Sequence, residues 1–321
     1  MMNVLFALLT VAAPALHGTD QDWPQWRGPK NDGISTEKNL PTEWGPDKNV
    51  VWKLAMPGRG GSTPCVSGDR IFLTSTVGAN EEVVALCVST AGKELWRKPL
   101  GGANIRTPPG EGDTAGASPS TDGKHVWFFC SSGELACFDF DGNEVWKFNV
   151  QKRYGKFQIQ FGMHTTPALF KDRLYLQLLH DGGQNVICLD AGTGKEVWKV
   201  DRPSDGRREC LHSYASPFIW TDGKDSYLVT HGNDYTVAHD LKDGKEIWRL
   251  GGLNSKERYN ATLRFVASPV CTPDLIVVPT AKRGVVVAVK PSARGKFEAG
   301  SEYEQWRLPS GTPDVPSPLV A

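Results

Sequence analysis

The sequence predicts an all-β protein: a β-propeller of four-stranded blades, about five complete and a sixth begun, in an incomplete ring. Two recurring phrases with one period carry this, and the composition agrees. The first phrase ends in tryptophan: Ala-Gly-Lys-Glu-Leu-Trp96, Asp-Gly-Asn-Glu-Val-Trp146, Gly-Thr-Gly-Lys-Glu-Val-Trp198 and Asp-Gly-Lys-Glu-Ile-Trp248, spaced by 50, 52 and 50 residues. A degenerate copy ends at Trp306, 58 residues further on, and Val51-Trp52 precedes the series by 44. The second phrase is a hydroxyl residue followed by proline, at Pro64, Pro119, Pro167, Pro217, Pro269 and Pro318, spaced by 55, 48, 50, 52 and 49. A fixed period of this size is the mark of stacked supersecondary units. With 34 Gly, 22 Pro, 11 Trp and only 4 Met, the chain is suited to short strands, tight turns and aromatic packing.

Residues 1–18 read as a signal peptide. Val4 to Ala15 is an apolar run of 12 residues, well short of the ~20 that span a bilayer, and Ala13 and Ala15 form an Ala-x-Ala arrangement. The leader Met1-Met2-Asn3 has no Lys or Arg. Export to the periplasm or the exterior is the expectation, with no transmembrane segment. Residues 19–49 form an N-terminal extension, and 50–321 hold the repeats. Val50 to Leu54, with Trp52, reads as the last strand of a closing blade. Within each unit an apolar strand follows the proline, then an Asp-Gly or Gly-Asp turn, a second strand and a polar loop. A third strand ends in Asp, as at Val186 to Asp190, and a Gly turn leads to the last strand with its Trp. Four strands in fifty residues make one propeller blade. Trp52, Trp96, Trp146, Trp198, Trp248 and Trp306 are therefore expected to wedge between blades. The repeats reach one strand into the sixth unit, so a truncated or split ring, or one that another chain completes, is expected.

Thirty-six basic residues balance thirty-six acidic ones, with no long Lys/Arg run, which argues against nucleic acid as the main partner. The seven cysteines include no CxxC and no adjacent pair, excluding zinc ribbons, thioredoxin-like motifs and c-type haem attachment. Cys87, Cys137 and Cys188 share one repeat position that Ala238 and Ala288 fill in later units, so the slot is small and buried. Cys130 and Cys137 are expected to face each other across the Ser131 to Ala136 hairpin, as a packed pair of thiols, with a bridge as the alternative in an exported chain.

The run Leu189-Asp190-Ala191-Gly192-Thr193-Gly194-Lys195-Glu196-Val197-Trp198 resembles the repeat of the pyrroloquinoline quinone (PQQ)-like propellers. That superfamily holds quinoprotein dehydrogenases and non-enzymatic outer-membrane assembly scaffolds. Asp22-Trp23-Pro24-Gln25-Trp26-Arg27-Gly28-Pro29, with Asp32-Gly33 behind it, resembles the start of exported bacterial proteins of this type. The resemblance spans about residues 22 to 321. It implies a fold more than a chemistry. A quinoprotein needs a quinone gripped on both faces, a calcium or lanthanide ion and a carboxylate base. No adjacent cysteines and no Glu/Asn/Asp set at metal-ligand spacing supply these, so PQQ with calcium is not supported by site residues. No metal ligand and no catalytic residue is assigned.

Loops that precede each blade and loops that join second to third strands share one face. The candidate ligand-binding residues there are Arg106, His164, His180, Asp181, His212, His231, Asp234 and Arg264. Chemistry elsewhere finds no support: there is no GxSxG, HExxH, phosphate loop or GxGxxG between strand and helix. Gly58-Arg59-Gly60-Gly61 lacks the GK[ST] of a phosphate loop, and Arg207-Arg208 is too short for a nucleic-acid patch. The reading is an exported binding or scaffold module without catalysis of its own, with a protein or a carbohydrate as partner. The alternative is a PQQ-dependent oxidoreductase acting on an alcohol or sugar.

Overall fold

The computed structural model describes residues 22–102, 114–298 and 300–320. Its strands fall into five sheets, each built on a four-stranded antiparallel meander. Blade 1 is β1 (Cys65–Ser67), β2 (Arg70–Val77), β3 (Glu82–Ser89) and β4 (Glu94–Gly101). Blade 2 is β5 (Ser120–Thr121), β6 (His125–Phe129), β7 (Glu134–Asp139) and β8 (Glu144–Asn149), followed by the short helix α1 (Val150–Tyr154). Blade 3 is β9 (Ala168–Phe170), β10 (Arg173–His180), β11 (Gly183–Asp190) and β12 (Glu196–Asp201). Blade 4 is β13 (Phe218–Thr221), β14 (Ser226–Gly232), β15 (Tyr235–His239) and β16 (Glu246–Gly251). Blade 5 is β17 (Val270–Thr272), β18 (Leu275–Pro279), β19 (Val286–Val289) and β21 (Glu304–Leu308), with β20 (Gly295–Glu298) inserted before its last strand. Residues 1–18, where a signal peptide is expected, lie outside the described residues. Among the described residues no helix is long and apolar enough to cross a membrane.

Burial explains the pattern within a blade. A third strand such as β11 is buried from Val186 to Leu189, because Ile187 and Leu189 pack against blade 2 and Val186 and Cys188 against blade 4, whereas most of the outer β12 is exposed. Cys87, Cys137, Cys188, Ala238 and Ala288 all lie opposite the repeat tryptophan of the next strand, and a register shift follows each one. All five are fully buried, so the slot has room for a thiol or a methyl beneath an indole. Cys130 is not the cross-strand partner of Cys137. Cys137 faces Trp127, while the Cys130 thiol lies 3.1 Å from the Ser132 hydroxyl, and all seven cysteines are free and buried.

Both repeated phrases are blade-to-blade connectors. Trp52, Trp96, Trp146 and Trp198 donate their indole N–H to the carbonyls of Thr90, Phe140, Ala191 and Leu241, each in the turn of the next blade, at 2.7–3.0 Å. Each ring also covers that turn's glycine. At Gly194, with φ of 66°, a Cβ would sit 2.8 Å from Trp146, so contact and conformation both require glycine. Trp248 departs from this, because its neighbour's turn is Lys290-Pro291-Ser292 and the Pro291 carbonyl accepts from the Tyr227 hydroxyl at 3.0 Å. Nearer the axis, the backbone N–H groups of Thr63, Ser118, Thr166, Ser216 and Ser268 each donate to the hydroxyl one repeat onward, at 2.9–3.0 Å. Proline follows each of these residues and fixes the chain where it turns into the blade.

Two features differ from the sequence reading. The strand expected at Val50 to Leu54 does not form, since these residues join no ladder, although Trp52 still sits on the turn of blade 1. The interval of 58 before Trp306 holds β20, which pairs in parallel with β16 and gives blade 4 a fifth strand, Trp248 opposite Gly295 through Gly251 opposite Glu298.

The innermost strands β1, β5, β9, β13 and β17 lie side by side in chain order. Between blade 5 and blade 1 the connection is an N-terminal strap. Asp22 accepts hydrogen bonds from the Ser67 hydroxyl and the Gly68 N–H, both at 2.9 Å. Trp23 pairs with Val66 in both directions, and the Pro24 carbonyl accepts from the Thr121 N–H. Arg27, buried, then donates to the Pro318 carbonyl at 2.7 Å, at the start of the sixth unit.

Candidate functional site

Hairpin tips of the second and third strands, and the loops that run toward each blade, meet over blades 3 to 5. The backbone first sets the loops in place. Ser213 donates its N–H to the Leu179 carbonyl and Tyr214 to that of Phe265, while Asp181 donates to Gln158. Three loops are thus laid against one another and bring the polar side chains together.

His212 and Asp181 meet, with Nε2 3.2 Å from Oδ2, and so do Arg264 and Glu209, at 2.7 Å. The Arg264 guanidinium lies 4.6 Å over the Phe161 ring, which in turn faces Tyr214. The His164 Nε2 is 2.5 Å from the Phe161 carbonyl oxygen. His180 turns inward from this group. Its Nδ1 accepts from the N–H groups of Gly182 and Gln158 at 3.1 and 3.4 Å, which places its proton on Nε2. Burial, aided by neighbouring His212, lowers its pKa to about 4.

Two expected face residues belong to the interior instead. His231 is fully buried, its Nδ1 2.8 Å from the Thr236 hydroxyl and its ring stacked on Phe265 at 4.4 Å and 8°. Burial, reinforced by Arg202, lowers its pKa to about 3. Asp234 is buried beneath the loop that leads to blade 5, accepting from the Tyr259 hydroxyl at 2.6 Å and the Asn254 amide at 3.0 Å. Burial raises its pKa and disfavours its charge. Both sit on a hairpin tip, which locates them along the blade without showing that the next loop folds over them. Arg106 lies outside the described residues.

Beneath the face is a polar network that sequence reasoning missed. Gln177, fully buried in β10, donates to the Ser213 hydroxyl and to the carbonyls of Ala215 and His231, and accepts the His231 N–H. Arg202 is fully buried after β12 and donates to the Thr230 hydroxyl and the carbonyls of Gly232 and Tyr235; burial lowers its pKa to about 9. His239 bridges the Thr230 hydroxyl and the Gly244 carbonyl, both at 3.0 Å, and is lowered to about 4 by burial. A signal existed for Gln177, the one amide in the apolar run Leu174 to Leu179.

On the opposite face, Trp220, Asp222, Asp225, Tyr227, Asp274, Lys290 and Arg294 help line a cleft of about 380 Å³ between blades 4 and 5. Its two rings are stacked on each other at 4.6 Å and buried, with the indole N–H and the phenol bonded to Thr272 and Pro291 carbonyls. They offer no open aromatic platform.

The profile of the PQQ_2 family, described as outer membrane protein assembly factor BamB, matches residues 131–297, just over half of the chain. The chain belongs to the PQQ_2 family. Solved structures agree with a PQQ_2 propeller. BamB from Moraxella catarrhalis superposes with a TM-score of 0.54 at 16% identity, over 83% of this chain and 68% of that one. Quinohemoprotein alcohol dehydrogenase from Comamonas testosteroni gives 0.61 at 14% identity, over 85% of this chain and 48% of that one. A europium-containing methanol dehydrogenase gives 0.57 at 14% identity, over 90% and 59%. These superpositions show a shared fold, and the chain spans about half the length of the alcohol dehydrogenase. No curated protein sequence matches.

The two dehydrogenase neighbours raise the fit of a quinone and its metal ion. The described face does not fit that pair. Of the carboxylates beside the candidate residues, Asp181 lies against His212, half-buried Glu209 pairs with Arg264, and Asp234 is buried against Tyr259 and Asn254. Among the described residues no three His, Cys, Asp or Glu side chains converge as a donor set.

Proposed function

We propose that this PQQ_2 propeller is an exported scaffold that binds a protein partner through its loop face and carries out no chemistry of its own. The observation that carries the reading is the use to which the face puts its ionisable groups. His212–Asp181 and Arg264–Glu209 join loops of different blades, and His180 fastens its own loop, so these side chains preform a surface. A preformed loop surface on a rigid scaffold suits recognition, because little ordering remains to be done on binding. Membership in a family described as an outer membrane assembly factor, and the Val4–Ala15 segment, support placing it outside the cytoplasm.

A thermal melt of the purified chain with and without PQQ plus calcium tests the reading. A ligand that binds only the folded state raises the midpoint by mass action. An unmoved cooperative transition is expected; an upward shift with both additives overturns the scaffold in favour of a PQQ-dependent oxidoreductase.

A further inference from the structure

We propose that the loops over blades 4 and 5 form a docking sector for an acidic segment of a partner protein; this rests on the scaffold reading and specifies its surface. The chain as a whole is neutral, but its charge is not evenly placed. Segments 205–209, 256–264 and 282–283 contain seven basic and three acidic residues.

Contacts show that these segments are one surface. The Arg207 guanidinium lies 4.2 Å over the Tyr259 ring, and its backbone N–H donates to the Tyr259 hydroxyl at 2.9 Å. Lys256 pairs with Asp205 at 2.6 Å. Lys282 donates to the Thr262 carbonyl at 2.7 Å and lies 4.0 Å from Glu209, which Arg264 already holds. Arg208, Arg258 and Arg283 are exposed and, among the described residues, have no carboxylate partner. The acidic side chain nearest in sequence to Tyr235, Asp234, is buried beneath the sector. The turns of the opposite face contrast with this, since Asp122 and Lys124, or Asp222, Lys224 and Asp225, intersperse the two signs.

The cations are spread over three loops instead of converging on a point, which suits an extended partner more than a small anion. Asp205, Glu209 and Glu257 are interleaved among them. A nucleic acid, with a phosphate charge at every step, would meet those carboxylates repeatedly, whereas a protein segment can set its own cations or neutral residues against them. The pairing of Arg207 with Tyr259 holds one cation in place before any partner arrives.

Binding of a fluorescent oligoglutamate peptide to the full chain, at low and physiological ionic strength, tests the sector. The variant Arg207→Glu/Arg208→Glu/Arg258→Glu reverses three exposed charges, and Lys124→Glu/Lys224→Glu/Lys242→Glu does so on the other face; melts confirm that both fold. Weakening of about tenfold or more is expected for the first variant and less than about twofold for the second, with affinity falling as salt rises. No binding, or equal loss in both variants, overturns the proposal. Tighter binding of single-stranded DNA or of phosphatidylglycerol vesicles than of the peptide, lost in the first variant, overturns it in favour of that ligand. The same samples melted with PQQ and calcium separate the failures: a shifted midpoint sinks the scaffold reading itself, while an unmoved midpoint with no peptide binding sinks only the docking sector.

Discussion

The seam between blades 1 and 2 and the seam between blades 3 and 4 occupy equivalent places in the repeat and are held by different forces. In the first, Phe72, Trp96, Phe128, Phe138 and Phe140 pack at centroid distances of 4.9 to 6.2 Å, with Val, Ala and Cys side chains filling the rest. In the second, an apolar part with Tyr175, Trp198, Ile219 and Leu228 adjoins a part nearer the loop face where Gln177, Ser213, Thr230, His231 and Arg202 are buried and hydrogen-bonded. Apolar packing is non-directional and roughly follows area, whereas a buried polar group is stabilising only with its partners in place. The repeat thus fixes where blades meet, and the choice between forces is made locally. The polar seam lies directly under the candidate face, so it also fixes loop positions that an apolar seam would leave freer.

Four measurements break or sharpen this contrast. Phe128→Ala in the apolar seam should cost about 3–5 kcal/mol in urea unfolding, the range for deleting a buried aromatic ring. Arg202→Met in the polar seam should cost about 2 kcal/mol by leaving buried acceptors unpaired, and a stabilised variant would show the network to be dispensable. The third concerns acidity. His180, His231 and His239 have pKa values lowered to about 4, 3 and 4, so near pH 5 they stay neutral in the fold while the unfolded chain, near 6.5, binds their protons. Their contribution is complete above about pH 7 and is lost as pH falls toward 4, by roughly 1.4 kcal/mol per pH unit for each histidine. Hydrogen exchange at pH 5 should then show blades 3 and 4 losing protection before blades 1 and 2; equal loss would mean the seams do not differ in this respect. Smallest is Ser216→Ala, which removes the acceptor of the Thr166 N–H and should cost about 1 kcal/mol.

The blades were legible because each position is repeated: the indole with its turn glycine, and the hydroxyl before proline, recur with one period, and chance does not produce two coincident series. What is not repeated was hidden. The interval of 58 before Trp306 is longer than the others, but nothing in Gly295-Lys-Phe-Glu298 tells that it pairs with blade 4 in parallel. The face was half legible. Asp181, His212, Arg264 and His164 gather where loop order puts them, whereas His231 and Asp234 lie under Phe265 and Tyr259, which come from a unit further along. Burial there depends on how a later loop folds back, and a local pattern does not encode that.

The strap that joins Trp23 to Val66 and Arg27 to Pro318 has a consequence for the order of events in folding. Arg27 and Pro318 are 291 residues apart in the chain. During synthesis the blades can form one after another from contacts about one repeat distant, yet the strap from Asp22 to Arg27 has no complete binding site until the sixth unit has emerged. The beginning of the described chain is therefore among the last parts to settle, and its docking marks the moment when all five blades are in place.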